Sequence, residues 1–198
     1  PPAPNRNDFP ATQAAFALAL KRFPTALYFT KADDDTFLYT GNLGKFLFDE
    51  HAGGGAAYMG FPFRALTEGE AVYESGGAGY TLVNAAAQLL ANCDATLSGY
   101  EDVAVGKCLR RQGVWAFDMP GAHPHHVRRS IKWDKLPVSP DRIRNHDFAK
   151  DYAKPKSFHY ISPDMALRMH DEALYWPWRG PTHVRARSRG IPRVLHMY

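Results

Sequence analysis

The stretch LYFTKADDDTF, residues 27–37, joins an apolar run to three consecutive acidic residues. The run over 26–30 is nearly continuous in apolar side chains, which is typical of a strand buried on both faces. In open α/β sheets, ligands bind where such strands end. Neighbouring carboxylates at Asp33, Asp34 and Asp35 suit Mg²⁺ or Mn²⁺, and a solvated acidic turn is the alternative. The triplet therefore predicts either a metal site at a strand end or an acidic turn.

Helical and strand patterns alternate on both sides of this stretch. Good helix formers at near-helical spacing predict helices over 11–23, 42–50, 84–92, 103–111 and 163–175. Short apolar runs predict strands at 26–30, 56–63, 71–75, 114–117 and 157–161. The last helix carries the clearest start signal, with Ser162 as N-cap and Pro163 at its first position. Alternating strands and helices predict a layered α/β domain.

The composition is that of an ordinary globular protein. The chain has 198 residues, 45% of them hydrophobic and 22% charged, which suits one domain and argues against disorder or coiled coil. A net charge of +4 does not demand a nucleic-acid partner, and we expect none. The sequence holds no apolar run of membrane-spanning length and no signal peptide at its start. Because it begins with Pro1, we expect a processed chain or a piece of a longer one.

Two further clusters each allow a structural and a functional interpretation. Glu101 and Asp102 precede a predicted helix, where acidic residues either stabilise the helix N-terminus or supply a general base. Gly76 and Gly77, in YESGGAGYTLV, permit close approach of the backbone to a ligand, but paired glycines also form plain turns. Their spacing is not that of a nucleotide-binding glycine loop.

The histidines and cysteines likewise allow more than one interpretation. His159, in SFHYI, is by itself either a structural residue or a metal ligand. The segment AHPHHV resembles a zinc-binding run, but it has no Cys or carboxylate partner at a recognised spacing, so we expect its members to be surface histidines: His123, His125 and His126. Cys93 and Cys108, fifteen residues apart, suit a loop-bracing disulfide or two buried thiols.

In their order along the chain, these segments resemble the motifs of glycosyltransferase family 31, the inverting β1,3-glycosyltransferases that include the fringe proteins. The segments are YFTKADDDTF, AYMGFPFR, YESGGAGYTL, YEDVAVGKC and SFHYI. The resemblance covers 12–175 and is strongest to the core 1 β1,3-galactosyltransferases. It implies a GT-A fold, a mixed sheet flanked by helices, over residues 1–175, with a basic irregular tail at 176–198. Because 32 residues precede Asp33, we expect the N-terminal part of the family's domain to be missing.

The resemblance also implies a metal site and a donor site. Asp33 and Asp35 match the ends of the family's acidic motif, and with His159 they are expected to bind Mn²⁺ or Mg²⁺. The donor is expected to be a UDP-sugar. Its contacts are expected to include Asp33, Asp34, Gly76 and Gly77.

The resemblance implies a base and a disulfide as well. Asp102 matches the family's catalytic base, with Glu101 beside it as the fallback. The two cysteines fall where the family has a pair that brackets this acidic motif. A disulfide between Cys93 and Cys108 is therefore favoured over two free thiols.

The function that the resemblance implies is metal-dependent transfer of a sugar, galactose in the most similar group, from a UDP-sugar to a glycan or glycoprotein acceptor such as GalNAc-Ser/Thr. It implies the lumen of the Golgi or secretory pathway and a type II membrane anchor in an N-terminal segment outside this chain. A homodimer or a partner subunit is a separate expectation, and the sequence does not give the oligomeric state. A second hypothesis is a catalytically inactive glycosyltransferase-like chaperone or structural subunit. The intact acidic residues and His159 argue against it. A metal hydrolase that uses the histidine segment has only residue types in its favour.

Overall fold

The computed structural model describes residues 8–51, 55–64, 72–94, 96–97, 99–124, 155–175 and 195–197. The helices are α1 (Phe9–Arg22), α2 (Thr40–His51), α3 (Asn84–Ala91), α4 (Glu101–Arg111) and α5 (Pro163–Tyr175). The strands are β1 (Tyr28–Lys31), β2 (Phe37–Leu38), β3 (Tyr58–Gly60), β4 (Pro62–Arg64), β5 (Val72–Glu74), β6 (Tyr80–Val83), β7 (Ala116–Asp118), β8 (Ala122–His123), β9 (Ser157–Phe158) and β10 (Leu195–Met197).

The central sheet has five strands in the order β10-β1-β6-β3-β7. It is mixed, because β6 runs antiparallel to β1 and β3 whereas the outer strands β10 and β7 run parallel to their neighbours. The register sets Lys31 opposite Tyr80 and Gly60 opposite Asp118. The carboxyl ends of β1, β3 and β7 and the start of β6 therefore meet at one edge of the sheet, which we call the site edge.

Helices cover both faces of this sheet. Phe29 of β1 belongs to a core cluster that includes Phe16 of α1 and Leu109 of α4. Tyr28, its neighbour in sequence, belongs to a second cluster that includes Leu43 of α2. Since successive strand residues face opposite ways, both faces of β1 are buried, as its continuous apolar run predicts. The result is a layered α/β arrangement. The expected GT-A type remains a prediction.

All five predicted helices are present. The bounds of α5 are as predicted, and those of the other four helices differ from the prediction by at most two residues. The hydroxyl oxygen of Ser162 accepts a hydrogen bond from the backbone N–H of Met165 at 3.3 Å, which confirms the predicted N-cap. The strand predicted over 157–161 is shorter, because Tyr160 has a positive φ of 58° and the chain turns away after Phe158. Within the described residues, no helix has the length and apolar character of a membrane span.

The segment 176–198, predicted to be irregular, contains strand β10. Leu195, His196 and Met197 pair in parallel with Phe29, Thr30 and Lys31. The prediction of an irregular tail is therefore wrong for these three residues, because an open edge of β1 can pair with a segment distant in sequence. The rest of that segment, and the aperiodic stretch 125–154, lie outside the described residues.

Candidate active site

Asp33, Asp35 and His159 come together beyond the end of β1. One ligand atom from each of the three lies within 4.8 Å of the others. His159 Nε2 is 3.2 Å from Asp35 Oδ1 and 4.0 Å from Asp33 Oδ2. Two carboxylates and one imidazole form a donor set that suits Mn²⁺ and related divalent ions. These residues fit a divalent cation with room for further ligands, and we call them the acid–histidine group.

Long-range pairing assembles this group. Phe37 of β2 lies opposite Phe158 of β9, and the backbone N–H of Ile161 donates to the carbonyl oxygen of Asp35 at 2.8 Å. These contacts bring a histidine 124 positions from Asp35 to the same place. The separation follows from the residue numbers. The site therefore depends on a two-residue strand pair as much as on the acidic triplet.

Lys31, the last residue of β1, connects the acid–histidine group to α4. Its ammonium group donates a hydrogen bond to Asp33 Oδ1 and lies 3.5 Å from Glu101 Oε2. It also lies 5.9 Å from the centre of the Tyr80 ring. Burial alone would lower the pKa of Lys31, but the carboxylates of Glu101 and Asp33 outweigh it and raise the pKa. Lys31 is therefore charged at neutral pH.

Glu101 has a second partner in the same network. The hydroxyl of Tyr80 donates to Glu101 Oε1 at 2.6 Å. Burial, and then the charge of Glu101, raise the pKa of Tyr80 well above its usual value, so the hydroxyl remains a donor. Both carboxylate oxygens of Glu101 thus already face a donor or a cation.

Asp102 faces the glycine turn. Its Oδ2 accepts a hydrogen bond from the backbone N–H of Gly76 at 3.0 Å, and its Oδ1 accepts one from Val103 at 2.9 Å. An alanine methyl at position 76 would lie 3.5 Å from the Asp102 side chain. The predicted base and the predicted glycine segment are therefore in direct contact.

Gly77 packs against the imidazole of the acid–histidine group. A Cβ built there would lie 2.1 Å from His159 Cε1 and Nδ1, so no side chain fits unless the ring moves. The carbonyl oxygen of Gly77 accepts from Thr36 Oγ1 at 2.8 Å. Gly79 adds the left-handed backbone that this turn requires, with φ +75°. The turn over residues 76–79 thus joins Asp102 to His159.

A cleft of about 320 Å³ opens beside the acidic triplet. Its walls come from the end of β1, from β2 and from α5, and they include Thr30, Asp33, Asp34, Phe37, Leu167 and His170. Asp34 is exposed and lies at this cleft rather than in the acid–histidine group. The expected role of Asp34 at a donor site stays a prediction.

Cys93 and Cys108 form a disulfide, as the family resemblance favours. Their Cα atoms are 6.0 Å apart, within the usual span of such a bond. Cys93 follows α3, and Cys108 lies within α4, two turns after Asp102. The bond therefore anchors the helix that begins with the two acidic residues.

Two features differ from what sequence reasoning indicated. His123 is not a surface histidine: it is half-buried, and its ring stacks on Phe158 at 4.7 Å. His125 and His126 lie outside the described residues. Glu74, which sequence reasoning missed, is fully buried at the end of β5, and neither of its carboxyl oxygens makes a hydrogen bond within the described structure.

The surroundings of Glu74 explain a large change in its acidity. Burial raises its pKa from 4.5 to about 9, and the charge of Asp118 adds to the rise. The backbone N–H of Phe117 acts to lower the pKa of Glu74, although it does not reach hydrogen-bond geometry with the carboxyl group. The signal in the sequence was an acidic residue two positions before Gly76. At neutral pH the Glu74 carboxyl is protonated.

Comparison with known proteins relates the chain to the glycosyltransferases. No protein-family model matches it. The chain is similar to a protein of Xenopus laevis named glycoprotein-N-acetylgalactosamine 3-beta-galactosyltransferase 1, which is 31% identical over 163 aligned positions. The alignment covers 69% of this chain and 42% of that relative, so the chain spans less than half of the relative's length. The chain is thus a distant homologue of a glycosyltransferase.

Proposed function

We propose that the chain carries the catalytic centre of an inverting, divalent-metal-dependent β1,3-glycosyltransferase that uses a UDP-sugar. One observation carries the proposal: at the site edge, the turn at 76–79 contacts both Asp102 and His159 of the acid–histidine group. The name of the Xenopus laevis relative points to galactose as the sugar and to glycoprotein N-acetylgalactosamine as the acceptor. An enzyme of this class works in the lumen of the secretory pathway.

A metal would be held by Asp33, Asp35 and His159. When bound there, it would offset the negative charge that grows on the departing diphosphate. Two carboxylates and one imidazole leave positions for diphosphate oxygens. Gly77 supports this arrangement, because its missing side chain is what lets the His159 ring reach the aspartates.

Asp102 is the proposed general base. It takes the proton from the acceptor hydroxyl while that oxygen attacks the anomeric carbon and the bond to the diphosphate breaks, its electron pair leaving with UDP. A single displacement of this kind inverts the anomeric centre, whereas a carboxylate nucleophile would form a covalent intermediate and retain it. Each Asp102 oxygen accepts one backbone hydrogen bond and has lone-pair capacity left for the acceptor hydroxyl.

Glu101 is the weaker choice for the base. Its Oε1 accepts from Tyr80 at 2.6 Å, and its Oε2 faces the Lys31 ammonium at 3.5 Å. Both oxygens of Glu101 thus face side-chain partners, whereas the oxygens of Asp102 accept hydrogen bonds from backbone N–H groups. We assign Glu101 to holding Lys31.

Calorimetric titration of UDP with and without Mn²⁺ tests the metal and donor part of the proposal. Micromolar binding that requires Mn²⁺ is expected, together with its loss in Asp35→Ala. The control is Asp49→Ala, which removes an equal charge from α2, where Asp49 pairs with Lys45. No binding under any condition would favour the catalytically inactive hypothesis.

Turnover of UDP-galactose with a GalNAc-peptide tests the base. Asp102→Asn should abolish turnover while Mn²⁺-dependent UDP binding is kept. Asp94→Asn, at an exposed loop position between α3 and α4, should leave both unchanged. Normal turnover in Asp102→Asn would refute the assignment.

A further inference from the structure

Lys31 occupies an unusual position for a cation, between the acid–histidine group and the first turn of α4. Its side chain is only 20% exposed, and its ammonium group contacts one carboxylate on each side, Asp33 and Glu101. The charge of Asp102 also acts on Lys31, and Asp35 shares the acid–histidine group with Asp33. Lys31 is therefore a cation that contacts two of these carboxylates at once.

We propose that Lys31 is an internal counter-ion that competes with the divalent cation for Asp33. The inference rests on the proposed metal site. The ammonium donates to Asp33 Oδ1, and Asp33 Oδ2 is the oxygen that lies towards His159. A cation bound by the acid–histidine group would therefore meet a second positive charge across one carboxylate. Lys31 lowers the affinity for the metal and keeps Asp33 and Glu101 in place while the metal is absent.

The same lysine couples the metal site to the residues around Asp102, the proposed base. When a cation takes up the charge of Asp33, Glu101 is the carboxylate that still attracts the ammonium. Glu101 is followed directly by Asp102, which accepts from Gly76, and an alanine methyl at position 76 would lie 3.4 Å from Lys31 Nζ. A shift of the ammonium toward Glu101 therefore reaches the residues that hold the base. Lys31 is a positioning residue in this scheme.

Mn²⁺ titration by calorimetry, without nucleotide, tests the competition. Lys31→Met should bind Mn²⁺ about tenfold more tightly, because a unit positive charge that contacts one of the metal's ligands is removed, and repulsion at such short range persists even in water-like screening. Lys31→Arg keeps the charge and should bind like the wild type. Lys45→Met, which breaks a lysine–aspartate pair on α2, is the matched control.

The outcomes separate this inference from the proposed function. If the wild type binds Mn²⁺ and Lys31→Met binds it equally or less well, the competition is refuted and the metal site stands. If neither protein binds Mn²⁺, the metal site is refuted, and the competition with it. If Lys31→Met does not fold, NMR on the wild type tests the inference instead. In protein with ¹³C-labelled lysine, Mg²⁺ should shift the side-chain resonance of Lys31 and leave that of Lys45 in place. An unmoved Lys31 resonance at saturating Mg²⁺ would also overturn the inference.

Discussion

Replacing Glu74 with glutamine should flatten the pH dependence of the free energy of unfolding. Glu74 is fully buried, its carboxyl oxygens make no hydrogen bond within the described residues, and its side chain lies against Gly60, where a Cβ would come within 2.9 Å of it. A carboxylate in this place would be buried, without a hydrogen bond from the described residues, and near the charge of Asp118. The folded protein therefore keeps Glu74 protonated.

The size of this pH dependence follows from the pKa of Glu74 in the unfolded chain and its pKa in the folded chain. In the unfolded chain Glu74 titrates near its ordinary pKa of 4.5, and in the folded chain its pKa is about 9. Between these values the folded state binds the extra proton, so stability falls as pH rises, by about 1.4 kcal/mol per pH unit. The contribution is fully present below pH 4.5 and is lost by pH 9, a total of about 6 kcal/mol. From pH 5 to pH 8 the loss is about 4 kcal/mol.

Urea denaturation followed by tryptophan fluorescence at several pH values measures this slope. In Glu74→Gln the part of the slope that is due to Glu74 should vanish. The free energy of unfolding of the variant should therefore rise steadily relative to that of the wild type from pH 5 to pH 8. Any constant cost of burying an unpaired amide shifts the whole curve and leaves its slope unchanged. Parallel curves for the two proteins would show that Glu74 is ionised in the folded state, and would refute the reasoning.

Three further variants test other parts of the structure. Gly77→Ala should abolish Mn²⁺ binding in calorimetry, because the new methyl displaces the His159 ring, whereas Gly44→Ala meets no atom within 4 Å and should leave binding intact. In thermal denaturation the same Gly44→Ala should raise stability by up to about 1 kcal/mol, since alanine is the better helix former. Replacing Cys93 and Cys108 together with serine should lower the free energy of urea unfolding by about 3 kcal/mol, from a loop of 15 residues. An unchanged midpoint would argue against the bond in solution.

Local patterns predicted much of the fold. The apolar run before Asp33 gave a strand buried on both faces, and Ser162 with Pro163 located the start of α5. Both signals act within a few residues, so the sequence displays them directly. The family resemblance, rather than any local pattern, joined His159 to the aspartates.

The remaining features depend on contacts between distant segments. The pairing of β2 with β9 sets where His159 lies, and two-residue strands leave no periodicity to read. The burial of Glu74 results from the neighbouring strand at Gly60, because only a glycine leaves room for its side chain. His123 is likewise covered by Phe158, to which no short-range signal connects it.

The parallel pairing of β10 with β1 has a practical consequence for handling this protein. Met197 lies opposite Lys31, so β10 points toward the same edge as the acidic triplet, and any residues joined after it start there. A polyhistidine tag fused at this end would bring several imidazoles close to Asp33 and Asp35, where they would compete as ligands for the added metal. Metal titrations are therefore best made on protein tagged at the other end or with the tag removed.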